Sequence, residues 1–181
     1  MLRAILFICV LGIAGCDSVT KEVSSGPSTY FDVPGYFAAL TDSLSQTTAQ
    51  VKKTLSVDGQ SDVVQVKPKS WKEEFAVFSS IDLNKSAYIG KYRVDSIIHP
   101  DGLQIQYSCL DKKLSIKQLI IQFNHAGRVN SIKADKRDHS IVLDSEIYWE
   151  YMSGHGYFVR GKRAISNLKP SVYSVSAIFA N

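Results

Sequence analysis

Leu103-Gln104-Ile105-Gln106-Tyr107-Ser108-Cys109 carries the clearest structural signal in this sequence, because apolar and polar side chains alternate along it without a break. Successive side chains of a strand point to opposite faces, so this pattern predicts a strand with one buried and one solvated face. The same period of two returns in residues 92–98, 147–151 and 173–179. Many such strands joined by short turns predict an antiparallel meander.

The alternation changes phase once, near Lys117-Gln118. Leu114 and Ile116 share one parity, whereas Leu119, Ile121 and Phe123 take the other. A phase change inside an apolar run predicts a bulge or a break in the strand. The following segment, 129–133, is polar, and we expect it to lie at a sheet edge or to be largely solvated.

Two helices precede the meander. Asp32 is a good N-cap and Pro34 suits the first turn, and the apolar stripe that follows predicts an amphipathic helix that lies on the sheet. Ser70 and Glu73 form a capping-box pattern that starts a second short helix. Between the helices, Asp58-Gly59 separates two alternating runs and predicts a tight hairpin. The fold class is therefore α+β: a mostly antiparallel curved sheet or open barrel with two helices packed on it.

The first residues have the anatomy of an export signal. Arg3 precedes an apolar run that is too short to span a bilayer as a helix, and the run ends in Ile13-Ala14-Gly15-Cys16. These four residues resemble the lipobox of bacterial lipoproteins. The resemblance implies cleavage between Gly15 and Cys16, lipid attached to the Cys16 thiol, and anchoring of the chain in a membrane by its acyl chains.

The chain then divides into three parts. Residues 1–15 are the lipoprotein signal peptide, 16–29 are a lipidated polar tether, and 30–181 form a single α+β domain. Once Cys9 is removed and Cys16 is lipidated, Cys109 is left alone, so the domain is expected to hold no disulfide. The net charge of +4 is mild, and the short basic runs match no nucleic-acid motif.

No motif in the sequence points to catalysis, a metal or a cofactor, and we expect none of the three. The four histidines lack ligand spacing, and the usual nucleophile and phosphate-binding motifs are absent. Asp144 and Glu146 would share one face of a strand, and Glu150 would extend the row. A pair of catalytic carboxylates needs convergent partners, so a solvated strand face is the preferred interpretation.

The candidate surface for a ligand or partner is aromatic and apolar. It consists of residues on the first helix and on two late strands, namely Tyr36, Phe37, Leu40, Trp149 and Tyr157. The helical stripe is also what an ordinary core requires.

Several segments together resemble a group of small lipoproteins of the Bacteroidota whose function is not known. Besides the lipobox, the resemblance is carried by residues 31–37, 71–75, 82–85, 154–157 and 161–162. It implies a location in the bacterial cell envelope and favours the outer membrane. Asp17, by contrast, marks inner-membrane retention in enterobacterial sorting.

We therefore expect a non-enzymatic envelope lipoprotein, tethered to the membrane, that binds another envelope protein or helps to assemble one. The alternative is a carrier or binding module for a lipid or other apolar ligand, held in a concave sheet covered by helices. A third possibility is a hydrolase that acts on glycans or peptides, which would require Asp144, Glu146 or His155 to meet in one pocket.

Overall fold

The computed structural model describes residues 29–180 of the chain. The predicted signal peptide, Cys16 and almost all of the predicted tether lie outside these residues. Within them, no helix is both long enough and apolar enough to cross a membrane.

One antiparallel sheet of nine strands forms the frame of the domain, as the sequence predicted. Its strands are β1 (Gln50–Val57), β2 (Gln60–Val66), β3 (Tyr92–His99), β4 (Gly102–Cys109), β5 (Ile116–Phe123), β6 (Val129–His139), β7 (Leu143–Met152), β8 (Gly156–Ile165) and β9 (Ser171–Ala180). Their order across the sheet is β2-β1-β9-β8-β7-β6-β5-β4-β3. The sheet is open, and β2 and β3 are its edges.

The topology places the first strand beside the last one. Strands β3 to β9 form a meander, and the β1–β2 hairpin then attaches to β9, where Gln50 is opposite Ala180 and Val57 is opposite Tyr173. The segment between β2 and β3 holds short helices, so the chain passes from one sheet edge to the other through its helical layer.

Three short helices, rather than the expected two, lie mostly on one side of the sheet. Helix α1 (Val33–Ser45) begins at Asp32, whose carboxylate accepts a hydrogen bond from the Gly35 N–H at 2.9 Å. The second predicted helix is split at Phe75 into α2 (Trp71–Glu74) and α3 (Ala76–Ser79). Despite the split, the bulky residues Trp71, Phe75 and Phe78 are all buried.

The core lies between this helical layer and one face of the sheet, which we call the covered face. The Phe37 ring of α1 stacks on Phe78, with centroids 5.0 Å apart, and meets Tyr151 of β7 edge-on at 5.1 Å. Phe37 and Phe75 are completely buried. Aromatic rings therefore fill the space beneath α1.

Two local predictions, the hairpin turn and the bulge, are confirmed, and a third is wrong. Asp58 and Gly59 adopt positive φ, as the hairpin signal required, and the β5–β6 register shifts between Ile116 and Gln118 at the predicted bulge. The expectation of an edge or solvated strand at 129–133 is wrong. Strand β6 lies inside the sheet, between β5 and β7. Its Ile132 and Ala134 side chains are buried on the covered face.

Candidate interaction site

The aromatic residues predicted as a ligand or partner surface lie in the core. Phe37, Trp149 and Tyr157 are buried, whereas Tyr36 and Leu40 are half-buried and pack against the core. Trp149 and Tyr157 therefore form no exposed patch. The apolar stripe of α1 is the face that packs on the sheet.

A buried polar cluster fastens α2 to this core. The Glu74 carboxylate accepts hydrogen bonds from the Lys53 ammonium of β1, at 2.6 Å, and from the Tyr157 hydroxyl of β8. Burial, together with the nearby Glu74 carboxylate, raises the pKa of Tyr157 above its ordinary range, so the phenol keeps its proton and donates. The cluster is structural, because all its polar groups are directed at one another.

The predicted row of carboxylates exists on β7, on the open face opposite the helices. Asp144 contacts His139 of β6, Glu146 lies 3.9 Å from Arg137, and Glu150 lies 2.9 Å from Lys133. Each carboxylate therefore faces a basic side chain of the neighbouring strand, which is ordinary cross-strand pairing.

Shallow grooves run along this row. One has a volume of about 310 Å³ and includes Asp135, Tyr148 and Arg160 among its lining residues. Burial raises the pKa of Asp135 against the opposing effect of Arg137. His155 lies in the turn after β7, a full strand length from Asp144 and Glu146. Asp144 and Glu146 line a second groove together with His139, but His155 does not join them, so the structure assembles only part of the set that the hydrolase interpretation required.

An apolar pocket lies where β3, β4 and β5 meet the turns at one end of the sheet. Its volume is about 540 Å³, and Ile98, Leu103, Ile105 and Phe123 are among its lining residues. The Phe31 ring packs edge-on against Phe123 nearby, with centroids 5.8 Å apart. This size and lining suit an apolar ligand.

The edge strand β2 is the most exposed element of the sheet. All seven of its residues, Gln60–Val66, are exposed, and valines project from both of its faces. Val63 is 53% exposed on the open face, and Val64 is 43% exposed on the covered face. An exposed edge with apolar side chains is a template for the addition of another strand.

The hairpin geometry shows which backbone groups of β2 face outward. With positive φ at both Asp58 and Gly59, the turn is a two-residue type I′ loop, in which the flanking pair Val57 and Gln60 exchange hydrogen bonds. The Asp58 N–H accordingly donates to Val172 of β9, away from β2. Hydrogen-bonded and unbonded pairs alternate along an antiparallel ladder. The N–H and C=O groups of Ser61, Val63 and Gln65 therefore point away from the sheet.

Only one charged residue lies on β2. The Asp62 carboxylate accepts a hydrogen bond from the outward Val63 N–H at 2.8 Å. The other edge, β3, carries an ion pair, with Arg93 Nε 2.8 Å from Asp95 Oδ2. Charges protect sheet edges from unwanted pairing, so β2 is the less protected edge.

Known proteins add nothing to this description. Within residues 29–180, no group of three or more histidine, cysteine or acidic residues is placed to hold a metal ion. No family model, curated protein or solved structure matches the chain.

Proposed function

We propose that this chain is a non-enzymatic lipoprotein of the bacterial envelope, anchored through Cys16, whose domain binds another protein by strand addition at β2. The observation that carries the proposal is the exposure of all seven residues of β2 together with its outward backbone groups. Main-chain hydrogen bonds would supply affinity, and the valines on each face would supply contacts for alternate side chains of the partner. The lipobox supports the anchor, and the resemblance to Bacteroidota lipoproteins supports an outer-membrane location.

The anchor is tested by metabolic labelling with a fatty-acid probe. Cys16→Ala should leave the full chain unlabelled and uncleaved, because only the thiol can form the thioether. Cys109→Ala is the matched control: this half-buried thiol lies on β4 and should not affect labelling. Normal labelling of the Cys16→Ala chain would rule out the anchor.

The binding edge is tested with a photo-activated cross-linking residue at position 63 of the full chain in cell envelopes. We expect a protein adduct, because Val63 lies at the centre of the exposed edge. Ile141, 98% exposed in the β6–β7 turn, is the control for an apolar position away from the edge. Adducts at 141 but none at 63 would contradict strand addition at β2.

One observation favours the carrier alternative, namely the apolar pocket beside Ile98, Leu103 and Phe123. Because aromatic rings fill the space beneath α1, a ligand would occupy this pocket rather than the space that the sequence suggested. The native mass spectrum of the chain from Ser18 onward separates the two functions. A reproducible added lipid mass that Leu103→Gln removes would favour a carrier, and an apo mass would favour protein binding.

A further inference from the structure

We propose that the protein bound at β2 is a second copy of this chain, joined antiparallel about a two-fold axis at Val63. This inference rests on the proposed function, since it names the partner of the same edge. The two sheets would continue into each other through β2 of each copy. The argument comes from the backbone pattern, the side-chain order and the charges of this one strand.

The outward backbone groups are self-complementary. When Val63 faces Val63 of the second copy, Ser61 faces Gln65 in both directions, so all three outward-facing residues pair with outward-facing residues. Two outward residues exchange both of their hydrogen bonds in an antiparallel pair, which gives about six bonds across the axis. Centring the axis on Ser61 or Gln65 pushes part of the ladder beyond one end of β2 and reduces that number.

The side chains agree with the same register. On the open face the two Val63 side chains meet, and this residue is 53% exposed in the single chain. On the covered face each Asp62 lies opposite Val64 of the other copy, so no like charges stand directly opposite each other. Valine pairs are favourable across strands, whereas directly opposed like charges are not.

The composition of β2 points to self-pairing more strongly than that of β3. Between Gln60 and Val66 there is no lysine, arginine, proline or glycine, and Asp62 is the only charge. Strands that have little charge and lack proline and glycine pair readily with their own kind. The Arg93–Asp95 pair on β3 is a feature that discourages such pairing.

Asp62 regulates the edge in this arrangement. In the single chain its carboxylate occupies the Val63 N–H, a donor that the second copy needs. Pairing must displace this contact, which weakens association. A one-strand interface is also small, at the low end of specific contacts. Anchoring both copies in one membrane raises their effective concentration and offsets this weakness.

The test is cysteine cross-linking of the full chain in membranes with a short bis-maleimide. Val63→Cys should give a covalent dimer, because the two positions meet at the axis. Gln60→Cys should not, because its two copies are offset by six residues, or about 20 Å. Ile97→Cys is the control on the other edge, where the side chain is similarly exposed. The chain with only its native cysteines sets the background.

Adding Asp62→Ala to Val63→Cys should raise the yield of dimer several-fold, since it frees the outward Val63 N–H. Dimers from Ile97→Cys but not from Val63→Cys would overturn the proposal, and so would equal yields from Val63→Cys and Gln60→Cys. An adduct of Val63→Cys with a different protein, without the dimer, would overturn the second copy as partner and leave the proposed function standing. No adduct of either kind would overturn both.

Discussion

Replacing Glu74 by alanine tests whether a buried polar cluster, in addition to apolar packing, fixes the helical layer on the sheet. The Glu74 side chain is 8% exposed and the Lys53 side chain 27%. Tyr157, the third member, is 6% exposed. The cluster joins α2 to β1 and β8, so its loss should lower the free energy of unfolding of the whole domain.

The expected cost follows from what each partner loses. Tyr157 would be left with an unsatisfied buried hydroxyl, which costs about 1–3 kcal/mol. Lys53 can turn partly to solvent, so its ion pair contributes only about 1 kcal/mol. Glu74→Ala should therefore lower the free energy of unfolding by about 3 kcal/mol, within the range for a broken buried pair. Glu74→Gln keeps an acceptor for Tyr157 and should cost about 1 kcal/mol.

Urea unfolding of the chain from Ser18 onward provides the measurement, with the fluorescence of the buried Trp71 and Trp149 as the probe. Glu73→Ala is the control, because its side chain is the neighbouring carboxylate but is exposed, and the Ser70 cap bonds the backbone N–H of residue 73, which alanine keeps; it should change stability by less than about 0.5 kcal/mol. The reasoning fails if Glu74→Ala and Glu73→Ala cost the same, or if Glu74→Gln is as damaging as Glu74→Ala.

Three further predictions concern titration and backbone space. Burial raises the pKa of Tyr157 above the usual 10.0, so its contribution to the free energy of unfolding should be fully present below pH 10 and be lost above it. If all tyrosines ionised near pH 10 in phenolate absorbance while the circular dichroism stayed unchanged, this prediction would be contradicted. Burial raises the pKa of Glu150, but hydrogen bonds from Lys133 and Tyr148 outweigh it and hold the pKa below 4.5. The resulting stability is present above pH 4.5 and lost in acid, and Lys133→Met should flatten this acid limb of urea midpoints against pH. Gly156→Ala should cost about 2–4 kcal/mol in the same urea assay, because φ is 148° and its Cβ would lie 1.9 Å from the Ala177 carbonyl oxygen; Gly59→Ala, with open space around it, should cost about 1 kcal/mol.

Local pattern predicted the elements and the meander of β3 to β9, but not the attachment of the β1–β2 hairpin to β9. The alternation of residues 103–109 and the turn signal Asp58-Gly59 each lie within a few consecutive residues, and the structure confirms both. The pairing of β1 with β9 joins residues more than a hundred positions apart, and alternation carries no information about such partners. The polar composition of residues 129–133 wrongly indicated an edge strand. Lys133 pairs with Glu150 on the open face, whereas Ile132 is buried on the covered face.

The candidate site was missed for a related reason. Aromatic residues such as Trp149 were predicted to form a ligand or partner surface, yet large aromatic side chains also fill the core between helices and a sheet. The useful signal was less conspicuous. Val63 and Val64 are consecutive, so valine falls on both faces of β2, and neither face of this strand is committed to the core. That pattern fits an edge strand, and it gains meaning only once the strand order is known.

The architecture explains why β2 has an open edge. Pairing β2 with β3 would close the nine strands into a barrel. The interior of an eight-stranded barrel is just wide enough to be filled by side chains, and a nine-stranded barrel is only slightly wider. Three helices occupy the covered side, and one helix with its side chains is about 10–12 Å across. Closure is therefore incompatible with the helical layer, and two edges must stay unpaired. Their exposure follows from the fold, but the low charge of β2 does not, because an added lysine at Val63 would protect the edge without disturbing the core. The low charge of this strand is thus the feature that a binding function accounts for, and adding the exposed Ser61→Lys to Val63→Cys should abolish both the cross-linked dimer and any other protein adduct at this edge.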